Sequence, residues 1–208
     1  MIELFHNAEV SNEPFHDLDK ERFSHLKKVC EYDYFIEGEI LEFGVYSGNT
    51  INFISEHFNQ PIYGFDSFEG LPEDWNMSYK EKFNKHKKGY FAVDQLPKVN
   101  DNVVLVKGFF DTSLPKWLQE NILSQISLLH VDSDLYSSAK TIFDNLNNYI
   151  VEGTVIVFDE FYPWGRKRYE TWEQHEYKAF CEWVETYNRE FEVLFRNNHQ
   201  QCSVRITV

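Results

Sequence analysis

The sequence has little positive charge for its size. Its 208 residues include 20 Lys and Arg against 34 Asp and Glu, a formal net charge of −14. Because phosphate backbones are bound through Lys and Arg, this acidic composition disfavours a nucleic-acid partner. It favours instead a neutral or cationic small molecule, or a site that holds a divalent metal ion.

Cysteines and long apolar runs are also scarce. Cys30, Cys181 and Cys202 are widely separated and show no C-x-x-C spacing, so neither a disulfide framework nor a zinc site is indicated. No stretch approaches the ~20 apolar residues of a membrane span, and the opening MIELFHNAEV lacks the pattern of a signal peptide. We therefore expect a cytoplasmic protein without a membrane segment.

The glycine pattern of dinucleotide-binding proteins is missing as well. Residues 40–66 show an apolar run, a glycine-bearing turn, a helical pattern and a second apolar run, which together predict a βαβ unit. Counting from Gly44, the second and third glycine positions of G-x-G-x-x-G are Tyr46 and Asn49. This disfavours an NAD(P)-dependent oxidoreductase of the same fold.

What the turn does contain fits a nucleoside cofactor without a pyrophosphate, namely S-adenosylmethionine. Glu42 stands two residues before Gly44, and Gly48 stands four residues after it. Ligands of open α/β sheets bind at the carboxyl ends of the strands. We expect Glu42 to attract the ammonium end of the cofactor and Asp66, at the end of the next strand, to accept from its ribose diol.

Alternating apolar runs and helical patterns predict a mostly parallel sheet covered on both faces. A helix is predicted over 17–31, ahead of the sheet. Strands are predicted over 39–43, 62–66, 103–106, 126–132, 153–158, 191–195 and 202–207, and the last two, joined by the polar loop RNNHQQ, form a hairpin.

Five segments in a fixed order carry a resemblance to a known family: EFGVYSGNT (42–50), GFDSFEGLPE (64–73), KGFFDTSLP (107–115), HVDSDLYSS (130–138) and VIVFDEFY (155–162). The chain resembles the class I S-adenosylmethionine-dependent methyltransferases and, within them, the macrocin O-methyltransferase (TylF-like) family. Tyr46 departs from the pattern, since many class I enzymes have glycine at this place.

The resemblance implies a Rossmann-like α/β fold, with a mostly parallel seven-stranded sheet, a C-terminal antiparallel hairpin and helices on both faces. It implies a single methyltransferase domain over 1–208, with 1–35 as a helical cover. The segment 71–99 is either a lid that sets substrate specificity or a plain surface loop. The cofactor-binding residues expected are Glu42, Gly44, Val45, Tyr46, Ser47, Gly48, Thr50, Asp66, Ser67, Phe68, Gly108 and Asp132.

Four carboxylates follow the fourth and fifth predicted strands. Asp132 and Asp134 follow one strand, and Asp159 and Glu160 follow the other. Like charges in a small volume repel unless a cation or a proton separates them, and Mg²⁺ is the usual partner of oxygen ligands. By similarity to metal-dependent O-methyltransferases, we expect Asp132, Asp159 and Glu160 to hold Mg²⁺.

The same residues have simpler interpretations. Asp132 or Asp134 could cap the helix predicted at SSAKTIFDNL, and His130 fits a buried core histidine better than a ligand. If these residues are catalytic instead, Asp132 or Asp134 accepts the proton of the acceptor hydroxyl. His175 is a further general-base candidate.

The expected reaction is methyl transfer by direct displacement onto a hydroxyl, and the resemblance implies a sugar or another small-molecule acceptor. A catalytically silent nucleoside-binding module of the same fold is the alternative. A homodimer is compatible with this composition. The basic residues Lys80, Lys82, Lys85, Lys87 and Lys88 form either a solvated face or a substrate-facing flap.

Overall fold

Ten strands account for the β structure of the computed structural model, which describes residues 1–11, 18–33, 35–79, 85–164 and 169–208. They are β1 (Glu9–Val10), β2 (Glu39–Phe43), β3 (Ile62–Asp66), β4 (Trp75–Asn76), β5 (Lys85–His86), β6 (Val103–Lys107), β7 (Ile126–Val131), β8 (Val155–Phe158), β9 (Phe191–Arg196) and β10 (Cys202–Ile206). Eight of them form one sheet in the order β1-β9-β10-β8-β7-β2-β3-β6, while β4 and β5 form a separate antiparallel pair.

The pairing of the main sheet is mostly parallel. Strands β6, β3, β2, β7 and β8 run in the same direction, and β10 is antiparallel to both β8 and β9. The mostly parallel α/β fold with a C-terminal hairpin is thus confirmed. The sheet has eight strands rather than the seven predicted, because β1 adds to the edge of β9; two residues are too few to show a strand period in the sequence.

Within the described ranges, six α-helices flank the sheet: α1 (Ile2–His6), α2 (Leu18–Cys30), α3 (Asn49–Ser55), α4 (Phe110–Glu120), α5 (Tyr136–Leu146) and α6 (Glu176–Tyr187), with a 3₁₀ turn at Trp172–Gln174. The predicted N-terminal helix is therefore present as α2, and its first predicted residue, Asp17, lies outside the described residues. The predicted bounds of the seven strands differ from the observed ones by at most two residues. No helix in the described ranges is long and apolar enough to cross a membrane.

Successive strand residues face opposite sides of the sheet, as the period of a strand requires. In β2, Leu41 and Phe43 join the apolar core covered by α4, α5 and α6, while Ile40 joins the core covered by α2 and α3. Both faces are covered, so the parallel strands are mostly apolar, with Glu42 and His130 as buried polar exceptions. The carboxyl ends of β2, β3, β7 and β8 border a cavity of about 640 Å³.

Candidate active site

The turn after β2 has a conformation that only certain residues adopt easily. Gly44 has φ +97°, and a Cβ atom there would lie 1.8 Å from the Asp132 carbonyl oxygen, so no larger residue fits. Tyr46 also lies in the left-handed region, with φ +45° and an exposed ring. The turn therefore brings the backbone after β2 against the backbone after β7, at the wall of the cavity.

Asp66 links this turn to the end of β3. Its Oδ2 accepts hydrogen bonds from the backbone N of Val45 at 2.9 Å and of Tyr46 at 2.7 Å. Its Oδ1 accepts from the backbone N of Phe68 at 2.6 Å. Three backbone donors thus stabilise the ionised carboxylate, which lies at the cavity wall.

The predicted cofactor-binding residues separate into two groups. Those that line the cavity are Gly44, Tyr46, Asp66, Ser67 and Asp132. The others lie behind the wall: Val45 and Phe68 are buried, Ser47 and Gly48 continue the turn toward α3, and the Gly108 backbone N donates to the Asp66 carbonyl. The residues after Gly108 were missed, since Phe109, Phe110 and Asp111 line the cavity.

The structure does not place Glu42 or Thr50 at the cavity. Glu42 is fully buried on the sheet face covered by α2 and α3, where its Oε1 accepts from Thr50 Oγ1 at 3.0 Å. Its Oε2 pairs with Nδ1 of His130, its register partner on β7, at 2.9 Å. Burial alone would lower the pKa of His130, but the Glu42 carboxylate raises it overall. The predicted contact of Glu42 with the cofactor is therefore corrected to an interior ion pair, and His130 is confirmed as a buried core residue.

Three carboxylates that follow β7 and β8 come together at the cavity. Oxygen atoms of Asp132, Asp134 and Glu160 lie within 4.8 Å of one another. Burial, followed by repulsion from neighbouring carboxylates that include Asp159, raises the pKa of Asp132 to about 8 and those of Asp134 and Glu160 well above the usual range. The Oε2 atom of Glu160 is buried without a hydrogen-bond partner among the described residues. Oxygen donors, converging charge and an orphaned buried oxygen all fit a divalent cation.

Asp159 was predicted to be a metal ligand, but it is not part of the carboxylate cluster. Its Oδ2 lies 2.5 Å from the Arg22 guanidinium of α2, and its Oδ1 accepts from Gln201 Nε2 at 3.1 Å. Burial would raise the pKa of Asp159, but the charges of Arg22 and His130, together with the hydrogen bonds that Asp159 makes, outweigh burial and lower it. The structure therefore groups Asp134, instead of Asp159, with Asp132 and Glu160. The sequence carries no local signal for this, because Arg22 and Asp159 are 137 residues apart.

The loop between β9 and β10 contacts both carboxylates that follow β8, which the sequence did not predict. Gln200 Nε2 donates to Glu160 Oε1 at 2.7 Å, next to the contact of Gln201 with Asp159. The Asn197 side-chain oxygen accepts from the backbone N of both glutamines and so fixes the loop. A segment interpreted as a polar turn thus holds both carboxylates that follow β8.

His175 is not among the residues that line the cavity in the described part of the chain. Its Nε2 contacts the Asn76 carbonyl at 3.3 Å and Thr171 Oγ1 at 3.2 Å, and burial lowers its pKa. The general-base prediction for His175 is corrected for this reason. The next residue, Glu176, reaches the loop after β7 instead.

Described residues of the segment 71–99 form one side of the cavity. Glu73, Trp75, His86 and Phe91 line it, and the Tyr46 ring packs edge-on against Phe91 at a centroid distance of 5.3 Å. Part of the basic cluster is neutralised there, since Lys85 and Lys87 contact Asp74 at 2.7 and 3.3 Å. Lys88 lines the cavity, whereas Lys80 and Lys82 lie outside the described residues.

Several solved structures share this architecture. The calicheamicin methyltransferase CalS11 superposes with a TM-score of 0.65 at 21% identity, over 92% of this chain and 80% of that chain. The O-methyltransferase NovP gives 0.63 at 17% identity, over 90% and 80%. MycE from the mycinamycin pathway, solved with Mg and SAH, gives 0.53 at 14% identity, over 95% and 56%. At these identities the likeness concerns the fold.

Comparison with the curated proteins gave no match. The family model of the macrocin O-methyltransferases (TylF), in contrast, matches residues 16–179, which include every segment on which the sequence resemblance rests. The chain therefore belongs to the macrocin O-methyltransferase (TylF) family and is an S-adenosylmethionine-dependent methyltransferase.

Proposed function

We propose that the protein transfers a methyl group from S-adenosylmethionine to a hydroxyl of a sugar or a sugar-bearing natural product. One observation carries the proposal: a single cavity is lined both by the backbone-bound carboxylate of Asp66 and by the cluster of Asp132, Asp134 and Glu160. The surroundings of Asp66 suit a nucleoside, and the cluster suits a hydroxyl that must lose a proton. CalS11, which shares the fold, is a TDP-rhamnose 3′-O-methyltransferase.

The residues around Asp66 would bind the methyl donor. Each carboxylate oxygen has two lone pairs, so Asp66 can keep its backbone contacts and still accept from a ribose hydroxyl. Gly44 and Tyr46 line the same cavity, and Phe109 and Phe110 give it an apolar wall. The bound donor would supply an electrophilic methyl group to the interior of the cavity.

Asp132 and Glu160 would hold a Mg²⁺ ion, with Asp134 beside them. The orphaned Oε2 of Glu160 is the strongest support, since a buried carboxylate oxygen without a donor is costly unless a cation or a proton binds it. Asp159 stays outside this set, because Arg22 and Gln201 occupy both of its oxygens. When bound, the ion would supply positive charge near the acceptor oxygen and make its deprotonation easier.

Asp134 is our choice for the proton acceptor. It lines the cavity, as do Ser137 and Ser138 of α5 and Glu73 of the segment 71–99. In the reaction, the acceptor oxygen bonds to the methyl carbon as the carbon–sulfur bond breaks, and the electron pair stays on sulfur. Asp134 takes the hydroxyl proton, so the neutral thioether and the methyl ether are the products.

The segment 71–99 would cover the acceptor and select it. Trp75, His86 and Phe91 offer rings on which a sugar or an apolar ligand can pack, while Glu73 offers a hydrogen-bond acceptor. The plain surface loop is the competing interpretation. If the segment is only a surface loop, replacing Phe91, which lines the cavity, by Ala should leave turnover unchanged.

The experiment is a panel of hydroxyl acceptors, including TDP-rhamnose, incubated with S-adenosylmethionine and Mg²⁺. We expect S-adenosylhomocysteine to form together with a methylated product of one or more panel members. Asp134→Asn serves as the inactive control. Formation of S-adenosylhomocysteine without any methylated acceptor, at the same rate in Asp134→Asn, would contradict the proposal.

A further inference from the structure

Glu176 is a buried carboxylate that the proposed reaction does not use. It is the first residue of α6 and is 0% exposed. Its Oε1 accepts from the backbone N of Ser133 at 2.8 Å, from Ser133 Oγ at 3.1 Å and from the backbone N of Asp134 at 3.1 Å. Its Oε2 accepts a longer bond from the backbone N of Glu160 at 3.4 Å. One side chain thus holds the backbone after both β7 and β8.

These contacts are not those of a helix cap. An acidic residue in the first turn normally interacts with the free N–H groups of its own helix. The donors to Glu176 lie instead 43, 42 and 16 residues earlier in the chain. Burying a carboxylate is costly, so the hydrogen bonds that compensate for it tie α6 to the loop that carries Asp134.

That loop has an unusual conformation. Asp134 has φ +62°, in the left-handed region that residues other than glycine rarely adopt, and the Leu135 backbone N donates to the Ser133 carbonyl at 2.6 Å. Such a conformation persists when the surrounding structure fixes it. The hydrogen bond from the Asp134 backbone N to Glu176 fixes it here.

We infer that Glu176 is a positioning residue, whose carboxylate fixes the Ser133–Asp134 turn so that the Asp134 carboxylate faces the acceptor. The inference rests on the proposed function, which makes Asp134 the proton acceptor. Glu176 acts through Asp134 and is not among the described residues that line the cavity.

Amide hydrogen exchange of the full-length, ¹⁵N-labelled protein tests this, with and without S-adenosylhomocysteine. In Glu176→Ala, we expect the Ser133 and Asp134 amides to exchange about tenfold faster or more, as loss of a hydrogen bond to a charged group requires. Glu176→Gln keeps one acceptor oxygen and should give an intermediate rate. Glu185→Gln, an exposed position on the same helix, should match the wild type.

The Asp132 amide is the internal reference, since it donates to the Phe43 carbonyl at 2.9 Å and not to Glu176. Unchanged Ser133 and Asp134 amides in Glu176→Ala would overturn the inference. An equal rise at Asp132 would overturn it too, because Glu176 would then only stabilise the fold. If Glu176→Ala does not fold, the same comparison in Glu176→Gln decides. Failure of the proposed function is separate, because it would appear as a wild type that does not bind S-adenosylhomocysteine.

Discussion

Two groups of residues that line the cavity are held in different ways. The cofactor half, formed by Gly44, Tyr46, Asp66 and Ser67, depends on contacts between neighbouring parts of one βαβ unit; Asp66 and Val45 are 21 residues apart. The acceptor half, formed by Asp132, Asp134 and Glu160, is held by side chains from distant segments. Gln200 contacts Glu160, which lies 40 residues away in the sequence, and Glu176 contacts Ser133, which lies 43 residues away. The first half depends mainly on one βαβ unit, closed at Gly44 by the Asp132 backbone, whereas the second joins the loops after β7 and β8 to α6 and to the loop between β9 and β10.

The two halves also differ in charge. In the cofactor half, a single carboxylate is stabilised by three backbone N–H groups. In the acceptor half, burial and repulsion raise the pKa values of three carboxylates, and the nearby Arg22 is engaged by Asp159. We therefore expect changes in the two halves to have separable effects on donor binding and on methyl transfer.

The largest effect is expected for Asp134→Asn. Removal of the proton acceptor should lower turnover by about 10²- to 10⁴-fold, the usual contribution of general-base catalysis. Affinity for S-adenosylhomocysteine should stay within about twofold of the wild type, since Asp134 lies in the other half. Turnover is measured as methylated product formed. Asp144→Asn, on the exposed face of α5, is the matched control. A parallel loss of donor affinity would show that the halves are not separable.

The next largest effect is expected for Asp66→Asn. The variant should weaken S-adenosylhomocysteine binding by about 1.5–3 kcal/mol, the size of hydrogen bonds to a charged group. It should also lower the melting temperature, because the amide cannot accept from all three backbone donors. Calorimetry and thermal unfolding measure the two changes, with the exposed Asp101→Asn as control. If Asp66→Asn binds S-adenosylhomocysteine as tightly as the wild type does, Asp66 is not part of the donor site.

Mg²⁺ should bind in the acceptor half of the cavity and not in the cofactor half. Mg²⁺ at about 100 times its Kd would stabilise the folded protein by about 2.7 kcal/mol, because binding to the native state shifts the folding equilibrium. Glu160→Gln should abolish most of this response, and Asp159→Asn should retain more of it, since Arg22 and Gln201 occupy Asp159. Melting curves with Mg²⁺ and with chelator provide the measurement. If Asp159→Asn loses more of the response than Glu160→Gln, Asp159 belongs to the metal set.

The smallest effect is expected at Tyr46, where the cofactor half meets the segment 71–99. Tyr46→Gly should relieve about 1 kcal/mol of left-handed strain and lose a ring contact of about 0.5–1.5 kcal/mol with Phe91. The free energy of unfolding should therefore change little. Dissociation of S-adenosylhomocysteine should become faster, because Tyr46 lines the cavity. Urea unfolding and stopped-flow dissociation measure both, and an unchanged dissociation rate would contradict the prediction.

The sequence predicted the seven longer strands, the turn at Gly44 and the position of Asp66 at the end of a strand, because glycine spacing and apolar period act over short distances. It did not predict the two-residue strands β1, β4 and β5, which are too short to show a period. It misplaced Glu42, since the turn motif does not reveal that the residue faces inward toward His130. Arg22 could not be foreseen at all. Its contact with Asp159 depends on how α2 packs over the sheet, and no local pattern encodes that packing.

Calorimetric titration of the wild-type protein, first with S-adenosylhomocysteine and separately with NAD, tests the central claim most directly. The turn with Tyr46 and Asn49 in place of glycines, together with Asp66 at the cavity wall, predicts saturable binding of S-adenosylhomocysteine and none of NAD. Tighter binding of NAD, or no binding of S-adenosylhomocysteine, would contradict the assignment of this cavity.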